Sequence, residues 1–184
     1  MEKITAEMIL KDFQRMLREK WKYVSGGAET GQVDCSGAFV WAYRQHGLSI
    51  YHGANRIARE HVVELIPFAE AKERGIIIPG MAALKTRKPG EARYALPAAY
   101  RKGGSHYNGD LLDYYHIGMV DADTEAVLNA QGTATGFVRS PITQNWSHVA
   151  RLKALAYEEA PDVEVRISRA AAAELLAALM GVAG

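Results

Sequence analysis

Asp34–Gly47 reads DCSGAFVWAYRQHG and holds the only cysteine of a 184-residue chain. Cys35, Phe39, Ala42, Tyr43 and His46 recur at three- and four-residue steps, and the run ends at Gly47, a natural C-cap. This spacing predicts a helix that the cysteine opens. A thiol in the first turn of a helix meets unpaired backbone N–H groups and the positive end of the helix dipole. Both lower its pKa and favour thiolate. Asp34 is placed to cap that helix by accepting from the amides of Ser36 or Gly37, whereas a carboxylate turned toward the sulfur would raise the thiol pKa. Ser36 and Gly37 are small enough to leave room for a carbonyl group, and amides there are suited to holding an oxyanion. The ordinary alternative is a buried cysteine packing as a small apolar side chain.

A chain that is 48% hydrophobic and 23% charged can bury one full core. With 22 Lys+Arg against 21 Asp+Glu, the formal net charge is +1, which offers no attraction for nucleic acid. A lone cysteine excludes an internal disulfide and a CxxC site. No pair of His, Asp or Glu at ligand spacing is backed by a second pair, so neither a metal nor a cofactor is expected. The N-terminal MEKITAEMILKDFQRMLREKW is charged throughout and reads as an amphipathic helix capped by Thr5, not as a signal peptide. The C-terminal AAAAELLAALMGVAG is interrupted by Glu174 and too short to span a bilayer, so no membrane partner is expected.

Between these ends, VSGGAETGQV reads as a loop delivering the chain to Asp34. ANRIAREHVVELIPFAEAKERG reads as a second helix, kinked near Pro67. GIIIPGMAAL reads as a turn flanked by short strands, and residues 85–115 as a long irregular region of the kind that carries function. HIGMV, AVLNA, GFVRS and HVARLKAL follow as strands joined by short turns, which implies an antiparallel sheet in an α+β fold. Asp121, Asp123 and Glu125 fall between two of these strands and read as a solvated turn.

A nucleophilic thiol needs a base and a group to orient it. His46 lies at the far end of the Cys35 helix, roughly 16 Å along its axis. His52, His61, His106 and His148 fall in loops or on mixed faces that suit surface or capping roles. His116 opens HIGMV, where Gly118 permits close backbone approach. In a hairpin turning at Asp121–Thr124, Asn129 of VLNAQG comes near it as a neutral acceptor able to fix the imidazole tautomer. Gln131 shares the Asn129 face by strand alternation and is the alternative third residue.

WKYVSGG, DCSGAFVWAY, IIPGMAAL, YYHIGMV and VLNAQGTATGFV, in this order over residues 21–154, resemble the NlpC/P60 cysteine peptidases of bacterial cell-wall turnover. The resemblance implies a papain-like α+β fold in which the nucleophile helix packs on an antiparallel sheet that presents the base. It implies Cys35 as nucleophile, His116 as general base, Asn129 at the third polar position and Tyr23 near the nucleophile. It also implies a peptidoglycan stem peptide as substrate, cut between γ-linked D-glutamate and a diamino acid. IYHGANRIARE and AQGTATGFVRSPI look most like phage and prophage versions from Gram-positive bacteria. That likeness implies a protein made in the cytoplasm and acting at the wall after release or within a virion, with phage-tail or wall-associated partners.

Two features depart from the family pattern. Pro79-Gly80-Met81 stands where PGD is usual, and the chain between Cys35 and His116 is longer than in a minimal member. The surplus falls at residues 85–115, where Arg87, Arg93, Arg101 and Lys102 are candidates for carboxylate binding and five tyrosines for walling a groove. The expected organisation is a catalytic domain over residues 1–156 and a tail over 157–184, a strand and helix docked on the domain. A papain-like thiol amidase or acyltransferase on another substrate is a second reading, with a closed pocket beside Cys35 as its mark. A non-catalytic phage or wall-binding module is a third, and it predicts no histidine within reach of Cys35.

Overall fold

Thr5 accepts the Met8 amide on its hydroxyl at 3.3 Å and caps helix α1, Ala6–Arg18, in the computed structural model, which describes residues 3–158. Ile9, Leu10, Phe13 and Met16 recur along one face and are buried, as the amphipathic pattern requires. Beyond it lies a small sheet of β1, Lys22–Tyr23, β2, Ala28–Glu29, and β3, Gln32–Val33, in the order β1-β3-β2. The loop expected here is thus partly sheet. Strands of two residues are too short to show alternation, and the turns use Gly26 and Gly31 at φ of 73° and 83°. Pairing of Tyr23 with Val33 brings Tyr23 alongside the approach to Asp34.

Helix α2 spans Gly37–Gln45, and Gly37 through Tyr43 are buried. Cys35 sits in the turn just before it. The Ala38 amide already bonds to the Asp34 carbonyl at 3.1 Å, so the cysteine occupies the first helical turn in hydrogen-bonding terms.

The single kinked helix expected after Ala54 is instead a helix, a strand and a helix: α3, Ala54–Glu60, β4, Val62–Pro67, and α4, Phe68–Glu73. β-Branched Val62 and Val63 open the strand. Pro67 closes it at the sheet edge, where its missing N–H costs no ladder bond. GIIIPGMAAL yields one strand, not two. Its isoleucines stay irregular, and only the segment after Gly80 enters β5, Ala82–Arg87.

The remaining strands are β6, Asp113–Val120, β7, Ala126–Gly132, β8, Gly136–Pro141, and β9, His148–Leu152. The last is shorter than HVARLKAL. The six-stranded sheet runs β4-β9-β5-β6-β7-β8 with antiparallel neighbours throughout. Alternation divides it cleanly. Ala82, Leu84, Met119 and Leu128 join the main core with Phe13 and Phe39 of α1 and α2, whose rings meet edge-on at 4.8 Å. Ala83, Val120 and Val127 join a smaller core with Trp146.

The long irregular region is narrower than 85–115, because β5 and β6 claim both its ends and leave residues 88–112. Arg59 of α3, with 2% of its side chain exposed, pins it. Its Nη2 donates to the carbonyls of Asp110 and Leu112 at 3.1 and 2.7 Å, and its guanidinium lies against Tyr100 and Tyr114. Of the tail, Tyr157 accepts the Leu152 amide on its hydroxyl at 2.8 Å. The expected strand and helix beyond lie outside the described residues. Among the described residues no helix is long and apolar enough to cross a membrane.

Candidate active site

Asp34 organises the approach to Cys35. Its Oδ1 accepts the Gly37 amide at 2.7 Å, the Ser36 hydroxyl at 3.2 Å and the His52 Nε2–H at 2.8 Å, while Oδ2 accepts the Gly26 amide at 2.8 Å. The carboxylate thus caps α2 and ties down the glycine loop in front of it. Gly37 makes the seating possible. A Cβ there would lie 1.8 Å from the Gly27 carbonyl oxygen.

Burial pushes the Cys35 thiol up to about 11, with Asp34 adding to the rise. This reverses the lowered pKa expected from helix position alone. The amides of Ile117, Ser36 and Cys35 all bear on the sulfur and lower its pKa, but desolvation outweighs them. The resting side chain is a neutral thiol, and its contact with the Ile117 amide sets it beside the peptide that follows His116. Burial raises the Tyr23 phenol pKa, and the nearby Asp34 carboxylate adds to the rise.

His116 faces away from the main core by alternation with Ile117 and Met119, and the ladder slips immediately before it. Lys85 pairs with His116 but Thr86 with Tyr114, so Tyr115 bulges out immediately before the histidine. Bulges of this kind re-aim neighbouring side chains. His116 Nε2 bonds to Asn129 Oδ1 at 2.9 Å. The orientation of the amide follows from its other contacts, since Asn129 Nδ2 donates to the Val127 carbonyl at 3.1 Å and to Ser140 Oγ at 3.0 Å. Oδ1 only accepts, so Nε2 carries the proton and Nδ1 keeps its lone pair. Burial is the main cause lowering the His116 pKa, so the ring is neutral near pH 7. Gly118 allows this contact, because a Cβ there would stand 2.5 Å from Val127 Cγ1 and 2.8 Å from Asn129 Cβ.

The structure therefore gathers Cys35, Tyr23, Asp34 and Ser36 at one end of α2 and joins His116 to Asn129 in the adjoining hairpin. Gln131 is exposed, and Asn129 makes the imidazole bond. A thiol–imidazole hydrogen bond is not formed. Ser36 is buried and spends its hydroxyl on Asp34. A cleft of about 450 Å³ opens beside Cys35, with His52, Tyr51, Tyr100 and Tyr115 in its walls.

Three contributors escape the sequence reading: His52, which pairs with Asp34, and Trp146 and Lys85. Trp146 stacks on His116 at 5.6 Å between ring centroids, and Lys85 lies over the same indole at 4.7 Å. Each contact depends on chain return or strand register, for which local pattern carries no signal. His46, as expected, is remote and bonds to Asp12 at 2.8 Å.

No family model and no curated protein matches the sequence. Solved structures do share its fold. NlpC2 from Trichomonas vaginalis superimposes with a TM-score of 0.56 at 18% identity, over 79% of this chain and 45% of its own. An NlpC/P60 family protein from Bacillus cereus ATCC 10987 gives 0.55 at 13% identity, over 82% of this chain and 41% of its own. The NlpC/p60 domain of the peptidoglycan hydrolase SagA gives 0.54 at 15% identity, over 80% of this chain and 99% of its own. The chain spans less than half the length of NlpC2 and of its Trichomonas vaginalis relative NlpC1. At these identities the likeness is one of fold, and that fold is the papain-like α+β arrangement implied by the sequence motifs.

Proposed function

We propose, from the NlpC/P60 fold this chain carries, that it is a cysteine peptidase cutting the γ-D-glutamyl–diamino acid amide of peptidoglycan stem peptides. The observation that carries the proposal is the His116–Asn129 bond with Asn129 held in one orientation, which leaves Nδ1 as a base in the strand beside the thiol. Because the resting thiol is protonated, His116 Nδ1 takes its proton as Sγ attacks the scissile carbonyl. Amides around Cys35 and the Tyr23 hydroxyl are the donors suited to the oxyanion that forms. The imidazolium then protonates the departing amine, leaving a thioester on Cys35. Water attacks that thioester with His116 as base, releasing the acid and the thiol. Asn129 holds the ring through both steps, and Asp34 and Ser36 set the helix end at which the acyl group is held.

The motif versions at residues 50–60 and 130–142 support a phage or prophage setting, with action at the wall after release or within a virion. Incubation with purified muropeptides followed by mass spectrometry tests the function. Products split at the γ-glutamyl bond, absent with Cys35→Ala, are expected. Intact muropeptides alongside cleavage of ordinary L-peptides or lipid amides would overturn the peptidoglycan reading and favour the thiol amidase.

A further inference from the structure

Strand β5 carries two cations, Lys85 opposite His116 and Arg87 opposite Asp113 and against Tyr115, that form no ion pair among the described residues. Lys85 is the cross-strand partner of His116. Its ammonium rests on the Trp146 face that also stacks against the imidazole, and its charge helps lower the His116 pKa, so its field reaches the ring. Burial lowers the pKa of Lys85 itself. An ammonium that is partly desolvated and lacks a counter-charge is costly, and a carboxylate brought to it offsets that cost.

Arg87 stands on the other side of the bulge. Its guanidinium lies 3.7 Å from the Tyr115 ring centroid, and Tyr115 walls the Cys35 cleft. One Nη donates to the Arg93 carbonyl at 2.9 Å. The rest of the planar fork is left for an acceptor, and stacking on the ring holds it ready. Two cations, each held on an aromatic face and displayed along one strand beside the proposed base, make a strip matched to an anion next to the scissile bond.

We infer that Lys85 and Arg87 form a carboxylate-recognition subsite that selects substrates bearing a free carboxylate beside the amide to be cut. The inference rests on the cysteine-peptidase reading of the site. Two carboxylates of a γ-linked stem peptide have this chemistry: the α-carboxylate of the D-glutamyl residue and the terminal carboxylate of the diamino acid.

Calorimetric titration of the full chain carrying Cys35→Ala separates them, using L-Ala-γ-D-Glu-L-Lys, its glutamyl α-amide and its C-terminal amide. One of the two amides should bind at least tenfold more weakly than the free acid and so identify the carboxylate that is read. Lys85→Met with Arg87→Met, which keeps the apolar stems on Trp146 and Tyr115, should abolish that preference; Lys85→Gln alone should reduce it. Equal binding of the acid and both amides by the Cys35→Ala chain overturns the subsite without reference to any further variant, as does a preference that survives in the double variant. Cys35-dependent turnover of the same peptide by wild type, read in parallel, keeps the two ideas apart. Turnover without carboxylate preference sinks the subsite alone, and absence of both turnover and binding sinks the peptidase reading with it.

Discussion

Asn129 presents its carbonyl oxygen, not its amide nitrogen, to His116, at 2.9 Å, and the Val127 carbonyl, which only accepts, enforces that choice by taking an amide N–H at 3.1 Å, with Ser140 Oγ accepting the other at 3.0 Å. The imidazole tautomer is thus set two residues away from the reacting atoms. Asn129→Ala should lower kcat/KM for muropeptides by roughly tenfold to a thousandfold, since orientation is lost while the reacting pair survives. Ser140→Ala should have a smaller effect in the same direction, and Asn129→Asp should shift the pH profile by favouring the imidazolium. Full activity in Asn129→Ala would remove the residue from the mechanism.

The half-buried thiol leads to a separate expectation. With Cys35 pushed up to about 11, alkylation by iodoacetamide should be slow at pH 7 and keep accelerating beyond pH 9, because only thiolate reacts. The acid limb of kcat/KM should lie below pH 6.5, the ordinary histidine value from which His116 is lowered. Among charged neighbours of the ring, Lys85 lowers that pKa and Asp34 raises it. Lys85→Met should therefore move the limb upward. An alkylation profile that reaches its plateau near pH 7 would instead reveal a preformed thiolate–imidazolium pair.

The parts of this site that sequence reading recovers are those set by local pattern. The helix step from Cys35 to His46, the Asp34 cap and the hairpin holding His116 and Asn129 all follow from spacing and turn residues. What escapes it depends on the return of the chain. HVVELIP sits between two helices, and β9 makes it a strand by pairing Leu65 with Ala150 and Ile66 with Val149. The thiol illustrates the same limit in energetic terms. Helix position lowers its pKa, but burial and the Asp34 charge outweigh that effect, and burial has no local signature. Lys85 meets His116 only through cross-strand register, which the sequence does not show, and the slip of one residue falls just beyond that pair.

Arg59 anchors residues 88–112, the segment that brings Pro97, Ala99 and Tyr100 to the cleft wall. Its buried guanidinium also bonds to the Asn55 carbonyl and side chain at 3.0 and 2.9 Å, and Asn55 in turn bonds to Asp113 at 2.9 Å. Arg59→Met leaves the Asp110 and Leu112 carbonyls without this donor. It should cost on the order of 3 kcal/mol of unfolding free energy, in the range for lost bonds to a buried charge. Limited proteolysis should then cut within 88–112 well before the rest of the domain. Unchanged protection of that segment would show that Arg59 does not hold it.

Close packing at Gly118 makes a sharper structural test. A methyl group there would meet Val127 Cγ1 at 2.5 Å and the Leu128 carbonyl oxygen at 2.8 Å, and neither can retreat without moving β7. Gly118→Ala should destabilise the protein by about 1–3 kcal/mol, as overpacked sites do. It should also lower kcat more than it raises KM, because the shift separates Asn129 from His116. Wild-type kinetics in a correctly folded Gly118→Ala protein would mean that the close approach of the two strands is irrelevant to the base.

Three histidines make folding stability depend on pH. His61, His116 and His148 all have pKa values lowered from 6.5, with burial as the largest cause in each case. For His148 the cost of charging is visible in its Nδ1, which is buried without a partner. The unfolded chain takes up protons near pH 6.5 that the folded chain refuses until lower pH. Stability is therefore full above about pH 6.5 and declines as the pH falls through the interval between unfolded and folded values. Thermal denaturation should show Tm falling from pH 7.5 to pH 5, before the carboxylates titrate. His148→Phe, which keeps the ring packed edge-on against Tyr114 and removes the titrating group, should flatten part of that slope. A Tm independent of pH over this range would show that the three rings are hydrated enough to accept their protons in place.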